Sequence, residues 1–201
     1  YRDAKFIHIE GTSTRDGQTL RYQYDSTDDS LRTICFAGDE IYGAFTLNKG
    51  RVQEFVPTHP KRLVLCYDSD AENEIPNLVY ERPLSCVYGA QFGIWIGPKS
   101  RFAESFGERI RGGRLSGREV INDRPCHVIE HVNDFEDAET GKKRRFAHIY
   151  YVDVDKFVLR RWDTFQDEIH QQRIYSRMDI TTANPPEIDW DVWHIVEPHL
   201  G

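Results

Sequence analysis

The chain has 201 residues, 39% of them hydrophobic, 29% charged and 12% aromatic, which is the composition of one globular domain with a sizeable core rather than of a disordered segment. A formal charge of -7 excludes a general nucleic-acid binder, which needs a basic footprint. No stretch approaches the ~20 consecutive apolar residues of a membrane-spanning helix.

Strand signals dominate the first third. Ala4 to Glu10 is rich in β-formers, and Leu20 to Asp25 alternates apolar with polar at period two. Such alternation predicts an antiparallel strand with one face buried. Between them, Asp16-Gly17 is a hairpin signal, because a glycine accepts positive φ. Leu31 to Ala37, Glu40 to Leu47, Arg51 to Val56 and Leu63 to Tyr67 follow, separated by Gly38-Asp39 and Asn48-Lys49-Gly50. Short strands with turns at this spacing predict a meander.

The middle is punctuated differently. Tyr88 to Gly97 is apolar and laced with glycine, as expected of a flap or a loop over a core. Ser100 is an N-cap candidate for a short helix with Phe102, Phe106 and Ile110 on one side, and Gly112-Gly113 would stop it. Strands return at Arg118 to Ile121, Arg124 to Val132, Arg145 to Val152, Phe157 to Phe165 and Ile169 to Ile180. Asp153 to Lys156 is a tight connection. The acidic stretch from Asp134 to Glu139 followed by Lys142 to Arg145 predicts a self-neutralising hairpin. Pro185-Pro186 ends the last strand, and Trp190, Trp193 and Ile195 are expected to tuck the tail onto the body. No linker divides the chain, so residues 1–201 are read as a single domain.

Residues that carry chemistry are scattered. Cys35, Cys66, Cys86 and Cys126 lack any CxxC spacing, which excludes the common zinc and redox motifs. Three disulfide pairings are possible in an oxidising compartment, and buried free thiols are an equal reading for Cys35 and Cys66. His127 beside Cys126 points to the opposite strand face. His127 and His131 are four apart, about 13 Å on a strand, so only a cross-hairpin contact with His148 would bring imidazoles together. Asp153 and Asp155 belong to a turn that needs them. No Gly-x-Ser-x-Gly elbow, P-loop, GxGxxG or HExxH occurs, so neither a catalytic motif nor a cofactor or metal site is read.

Gly117 to Ile121, Arg124 to Glu130, the Tyr-x-Asp-x-Asp run of Tyr151 to Asp155 leading into Val158 to Arg161, and Arg173 to Ile180 with the Pro-Pro and Asp-Trp tail together resemble the LolA/LolB-like lipoprotein-carrier superfamily. The likeness covers the whole chain in strand layout and Gly117 to Trp190 in motifs. It implies a mainly β (α+β) fold: a strongly curved antiparallel sheet, or half-barrel, with a few helices covering its concave face. It also implies an envelope protein that shelters a lipid, lipoprotein or other apolar ligand without catalysing a reaction. Burying a methylene is worth about 0.8 kcal/mol, so a dozen would offer roughly 10 kcal/mol before ordering costs. The candidate lining residues are Tyr22, Tyr24, Phe36, Phe45, Phe92, Trp95 and Trp162, and for each of them ordinary core packing is the readier explanation.

The chain starts at Tyr1, as expected where a signal peptide or tag has been removed or where a further N-terminal piece precedes it, and a periplasmic or secreted protein fits. A lipid or lipoprotein partner is expected, peripheral membrane contact is possible, and the oligomeric state is open. Two alternatives stand beside the carrier. One is an envelope sensor or protein-interaction domain without a small ligand. The other is a cofactor-free enzyme in which His127, His148 and Asp163 converge in a cleft.

Overall fold

The computed structural model describes residues 5–27, 30–56, 63–68, 110–136, 140–166 and 169–199. Eleven strands account for most of them: β1 (Phe6–Arg15), β2 (Gln18–Ser26), β3 (Ser30–Ala37), β4 (Glu40–Asn48), β5 (Arg51–Val56), β6 (Leu63–Asp68), β7 (Arg114–Ile121), β8 (Arg124–Glu136), β9 (Lys143–Asp153), β10 (Leu159–Gln166) and β11 (Ile169–Thr181). They form one sheet in the order β6-β5-β4-β3-β2-β1-β11-β10-β9-β8-β7. The sheet is not closed on itself, with β6 and β7 at its two ends, as a half-barrel requires and a barrel forbids. The mainly β, antiparallel reading of the sequence therefore holds.

Turn chemistry fixes the hairpins. Asp16 and Gly17 have φ of 51° and 79°, and Lys49 and Gly50 have φ of 49° and 86°. Two successive left-handed residues twist a two-residue loop in the sense that the strands themselves twist. Asn122 and Asp123 do the same between β7 and β8, with φ of 49° and 59°. Asp153 builds the β9–β10 connection with its own side chain, Oδ1 accepting from the backbone N–H groups of Asp155 and Lys156 at 3.0 and 2.9 Å.

The chain divides into two compact units. The first comprises Tyr1–Glu10, Leu20–Glu104 and Arg177–Gly201, and the second Gly11–Thr19 and Ser105–Ser176. In the first, Ile34, Phe36, Ile41, Ala44 and Phe55 form a core on one face of β3, β4 and β5. It is covered by a short helix, α1 (Val192–Val196), through Val192 and Val196. These two valines are a helical turn apart and point the same way, whereas the expected anchor Trp193 turns outward and is exposed. Ile195 does pack against this core, as expected. Asp191 caps α1, accepting from the N–H of Trp193 at 2.9 Å.

In the second unit, Ile121, Cys126, Val128 and Tyr151 form a smaller core, with Ile149 against it. Residues 110–112 are helical and Gly113 ends the run, where the sequence placed its stop. Gly113 passes close over β8, since a Cβ there would lie 2.6 Å from Cγ2 of Ile129. The self-neutralising hairpin is present: β8 and β9 pair Asp134 with Arg145 and Glu136 with Lys143, and Arg145 reaches Asp134 at 3.8 Å.

Of the cysteines, Cys35 and Cys126 are buried free thiols. Cys66 is a free thiol too, but exposed, because β6 stands at the end of the sheet. Cys86, the segment Tyr88 to Gly97 and the helix positions Phe102 and Phe106 lie outside the described residues.

Candidate functional site

Cross-strand register decides which candidate side chains meet. In the first unit Thr33 of β3 lies opposite both Tyr24 of β2 and Phe45 of β4, and Cys35 lies opposite Tyr22. Residues directly opposite share a face, so Tyr22, Tyr24 and Phe45 stand together with Cys35, Leu47 and Val52. Tyr22 and Tyr24 are fully buried, and burial pushes the Tyr24 phenol above its ordinary pKa. Phe36 is on the opposite face, in the core beneath α1, with the guanidinium of Arg21 4.3 Å over its ring. The structure therefore brings together three of the four described aromatic candidates of this unit and sets Phe36 apart. Phe92 and Trp95 lie outside the described residues.

Trp162 belongs to the second unit and is the centre of its most distinctive surface. It lies opposite Tyr150 of β9 and Arg173 of β11. Alternation along β9 puts Arg144, Phe146, His148 and Tyr150 on this face, and register adds Phe135, Asn133, His131 and Ile129 from β8. The rings form a column. Phe135 and Phe146 are 5.9 Å apart between centroids, Phe146 and His148 6.0 Å, and His148 and Tyr150 6.0 Å. Trp162 sits 5.7 Å from His148 and 5.6 Å from Tyr150. Exposure falls along the column from 43% at Phe135 to 0% at Tyr150.

The deep end of the column carries a polar line. Trp162 Nε1 donates to Nδ1 of His148 at 3.3 Å. Arg173, only 3% exposed, lays its guanidinium 4.6 Å over the Trp162 ring and donates to Oε1 of Gln171 at 2.7 Å and Oγ1 of Thr164 at 3.4 Å. Gln171 in turn donates to Oγ of Ser13 at 3.1 Å. The sequence reading passed over Ser13, Gln171 and Arg173 as site residues. The period-two spacing of Gln171, Arg173 and Tyr175 was a usable signal, whereas the β10–β11 register that puts Arg173 over Trp162 was not.

The opposite face of the same strands gathers the remaining charge. Asp163, buried, receives Nε and Nη2 of Arg161 at 3.0 and 2.5 Å, and the Tyr151 hydroxyl at 3.4 Å. Burial, and then the Asp163 charge, raise the Tyr151 phenol to about 12. Arg160 binds Asp153 at 3.0 Å. Burial opposes ionisation of Asp153, but the N–H of Lys156 and the Arg160 guanidinium outweigh it and hold the carboxyl below its ordinary value. Adjacent Cys126 is pushed up by burial and by the Asp153 charge. Arg161 and Asp163 are thus turned away from the aromatic column by simple alternation.

This geometry bears on the enzyme alternative. His127 and His148 lie on the column face, His127 opposite Val152 and His148 opposite His131. Asp163 points to the other face, opposite Ile149. The three do not converge. Among the described residues no group of three His, Cys, Asp or Glu side chains is placed to hold a metal ion, and no helix is long and apolar enough to cross a membrane.

No family model and no curated protein matches the sequence. Among solved structures there are likenesses in strand layout. The chain is similar to the Mycobacterium tuberculosis lipoprotein LppX, with a TM-score of 0.49 and 13% identity over 94% of this chain and 90% of that one. It is similar to LprF from Mycobacterium bovis at 0.48 and 10%, over 92% and 90%. A domain assigned to outer membrane lipoprotein sorting, from Vibrio parahaemolyticus, gives 0.33 and 10%, over 90% and 87%. Likenesses of this size concern strand layout, and neither a ligand nor a residue's role is carried over from them.

Proposed function

We propose that the chain is a cell-envelope binding protein that shelters the acyl part of a lipid or lipoprotein against an aromatic strand face, without catalysis. One observation carries the reading: the column Phe135, Phe146, His148, Tyr150 with Trp162, which runs from half-exposed to fully buried on one face. Such a gradient gives an apolar chain a continuous surface from water inward, at about 25 cal/mol per Å² removed from solvent. Tyr22, Tyr24 and Phe45 form a second aromatic cluster on one strand face in the first unit. In this reading the site residues are Trp162, Phe146, Tyr150, Tyr22, Tyr24 and Phe45, together with Phe92 and Trp95, and the chain acts as one domain in the periplasm or outside the cell. The strand order in a single sheet supports the single domain.

Titration with a fluorescent fatty acid tests this. Saturable binding to the native protein is expected, and Phe146→Asp, a half-buried position, is expected to weaken it at least tenfold while the far-UV circular dichroism stays native. Binding that is absent, or unchanged in the variant, contradicts the reading.

A second reading, a protein-interaction domain, has its own observation. Strand β7 ends the sheet with Leu115 and Val120 exposed at 63% and 68%. A terminal strand with apolar side chains is a template for another chain's strand. If the fatty-acid titration is flat, a shift to dimer in sedimentation that Val120→Lys abolishes would favour this reading.

A further inference from the structure

The Phe36 side of the first unit carries a groove of about 280 Å³ that belongs to neither aromatic surface. One wall is the β4–β5 hairpin, where register sets Thr46 opposite Gln53 and Asn48 opposite Arg51. The other wall is the segment before α1, with Asp189, Trp190 and Asp191. Every lining residue carries a hydrogen-bonding side chain, Trp190 only through its indole N–H, and both donors and acceptors are present.

The groove's polar groups are partly committed to the fold, and what they leave over is informative. Gln53 Oε1 accepts the N–H of Val192 at 2.7 Å, so its amide NH₂ is the group it has to offer as a donor. Asp189 accepts from the N–H of Asp191 at 2.9 Å and from His194 at 3.1 Å, and these contacts, the Asp191 N–H foremost, lower its pKa against the pull of burial. It is therefore ionised at neutral pH. Asp191 uses Oδ1 to cap α1. A carboxylate has about four lone-pair sites, so both retain accepting capacity. Thr46 is only 1% exposed and its Oγ1 has no hydrogen-bond partner. A buried hydroxyl left in that state costs free energy that a ligand group could recover.

We infer that this groove binds a neutral sugar ring. The lining holds two carboxylates and the guanidinium of Arg51, and the neighbouring Arg32, which donates to the Asp189 carbonyl at 3.1 Å, is already paired with Asp25, so no uncompensated positive charge is left to draw an anion. A polar lining around one indole suits a ligand with an apolar face and a rim of hydroxyls, each both donor and acceptor. A pyranose has that form: its C–H face rests on Trp190, its hydroxyls donate to Asp189 and Asp191, and they accept from Arg51, Gln53 and Thr46. The volume lies near the lower end of small-ligand pockets, which fits one ring. The site is separate from the acyl-binding reading and stands or falls without it.

Saturation-transfer NMR on the full chain, with millimolar methyl glycosides of glucose, galactose, mannose and N-acetylglucosamine, tests the assignment. Transfer to at least one glycoside is expected, with its ring C–H protons receiving the most. Trp190→Ala should weaken it at least tenfold. Thr46→Val keeps the side-chain shape and removes only the hydroxyl, so it should weaken binding several-fold while the melting temperature holds or rises. Tighter binding of a disaccharide of the preferred sugar would identify the source as a longer glycan, and equal binding a free sugar. No transfer from any glycoside, transfer unaffected in Trp190→Ala, or binding of inorganic phosphate or choline in place of the sugars would overturn the proposal.

Discussion

His8 is held by a carboxylate on each ring nitrogen: Asp25 at 2.7 Å from Nδ1 and Glu10 at 2.9 Å from Nε2. Asp25 is shared with Arg32, whose Nε and Nη2 reach it at 2.9 and 2.5 Å, and Glu10 with Arg177 at 3.6 Å. Burial works against the imidazolium, but the hydrogen bonds to Asp25 and Glu10 and their charges outweigh it and raise the pKa above 6.5. A raised pKa means that the folded state binds this proton more tightly than the unfolded one. The stability from the contact is fully present below the unfolded value of 6.5 and is lost as pH rises through the raised folded value. The advantage of the native protein over His8→Gln in urea denaturation should therefore be larger at about pH 5.5 than at about pH 8.5. A pH-independent difference would show that His8 is not charged in the fold. Asp163 is the stricter case, because removing one partner of a buried pair leaves the other charge uncompensated. Asp163→Asn keeps the shape but breaks the paired contact with Arg161, and about 3 kcal/mol of unfolding free energy should be lost.

At the scale of elements, β-turns and period-two alternation made the strands legible. The hairpins β1–β2, β4–β5 and β7–β8 turn at Asp-Gly, Lys-Gly and Asn-Asp pairs. Gly17 has φ of 79° with nothing within 4 Å of an added Cβ, so Gly17→Ala isolates the backbone term. It should destabilise by about 1 kcal/mol, read as a shift in the urea midpoint at constant m-value. What alternation does not supply is the identity of each face. In β3, Leu31, Ile34, Cys35 and Phe36 are apolar on both sides, because both sides are covered, so the sequence had no means of separating Phe36 from Tyr22 and Tyr24. In the tail Ile195 packs as expected, and Trp193 alone departs by turning outward. The four-residue spacing of Val192 and Val196 decides which side of a single helical turn is buried, and Trp193 lies off that side. Val196→Ala should cost about 2 kcal/mol through the cavity it leaves against Phe55 and Phe36, and Trp193→Ala within about 0.5 kcal/mol of nothing, measured by denaturant unfolding.

At the scale of the whole molecule, the long-range pairings separate architecture from function. Gln171 donating to Ser13 joins residues 158 positions apart, and Val192 donating to Gln53 joins residues 139 apart. Contacts of that separation cannot be read from local pattern, which is why the polar line beneath Trp162 and the sugar-sized groove were invisible in the sequence while the strands were not. They also carry a folding cost, since distant segments must close before they are rewarded. The aromatic column on the strand face of the second unit is what distinguishes this chain from a β-sheet that merely buries a core. Native mass spectrometry of the protein purified under non-denaturing conditions, followed by organic extraction, tests that distinction most directly. A mass above that of the polypeptide, released into the organic phase as an acyl-chain compound and absent from Phe146→Asp, is the predicted result. The polypeptide mass alone, unchanged after incubation with fatty acids and phospholipids, would contradict it.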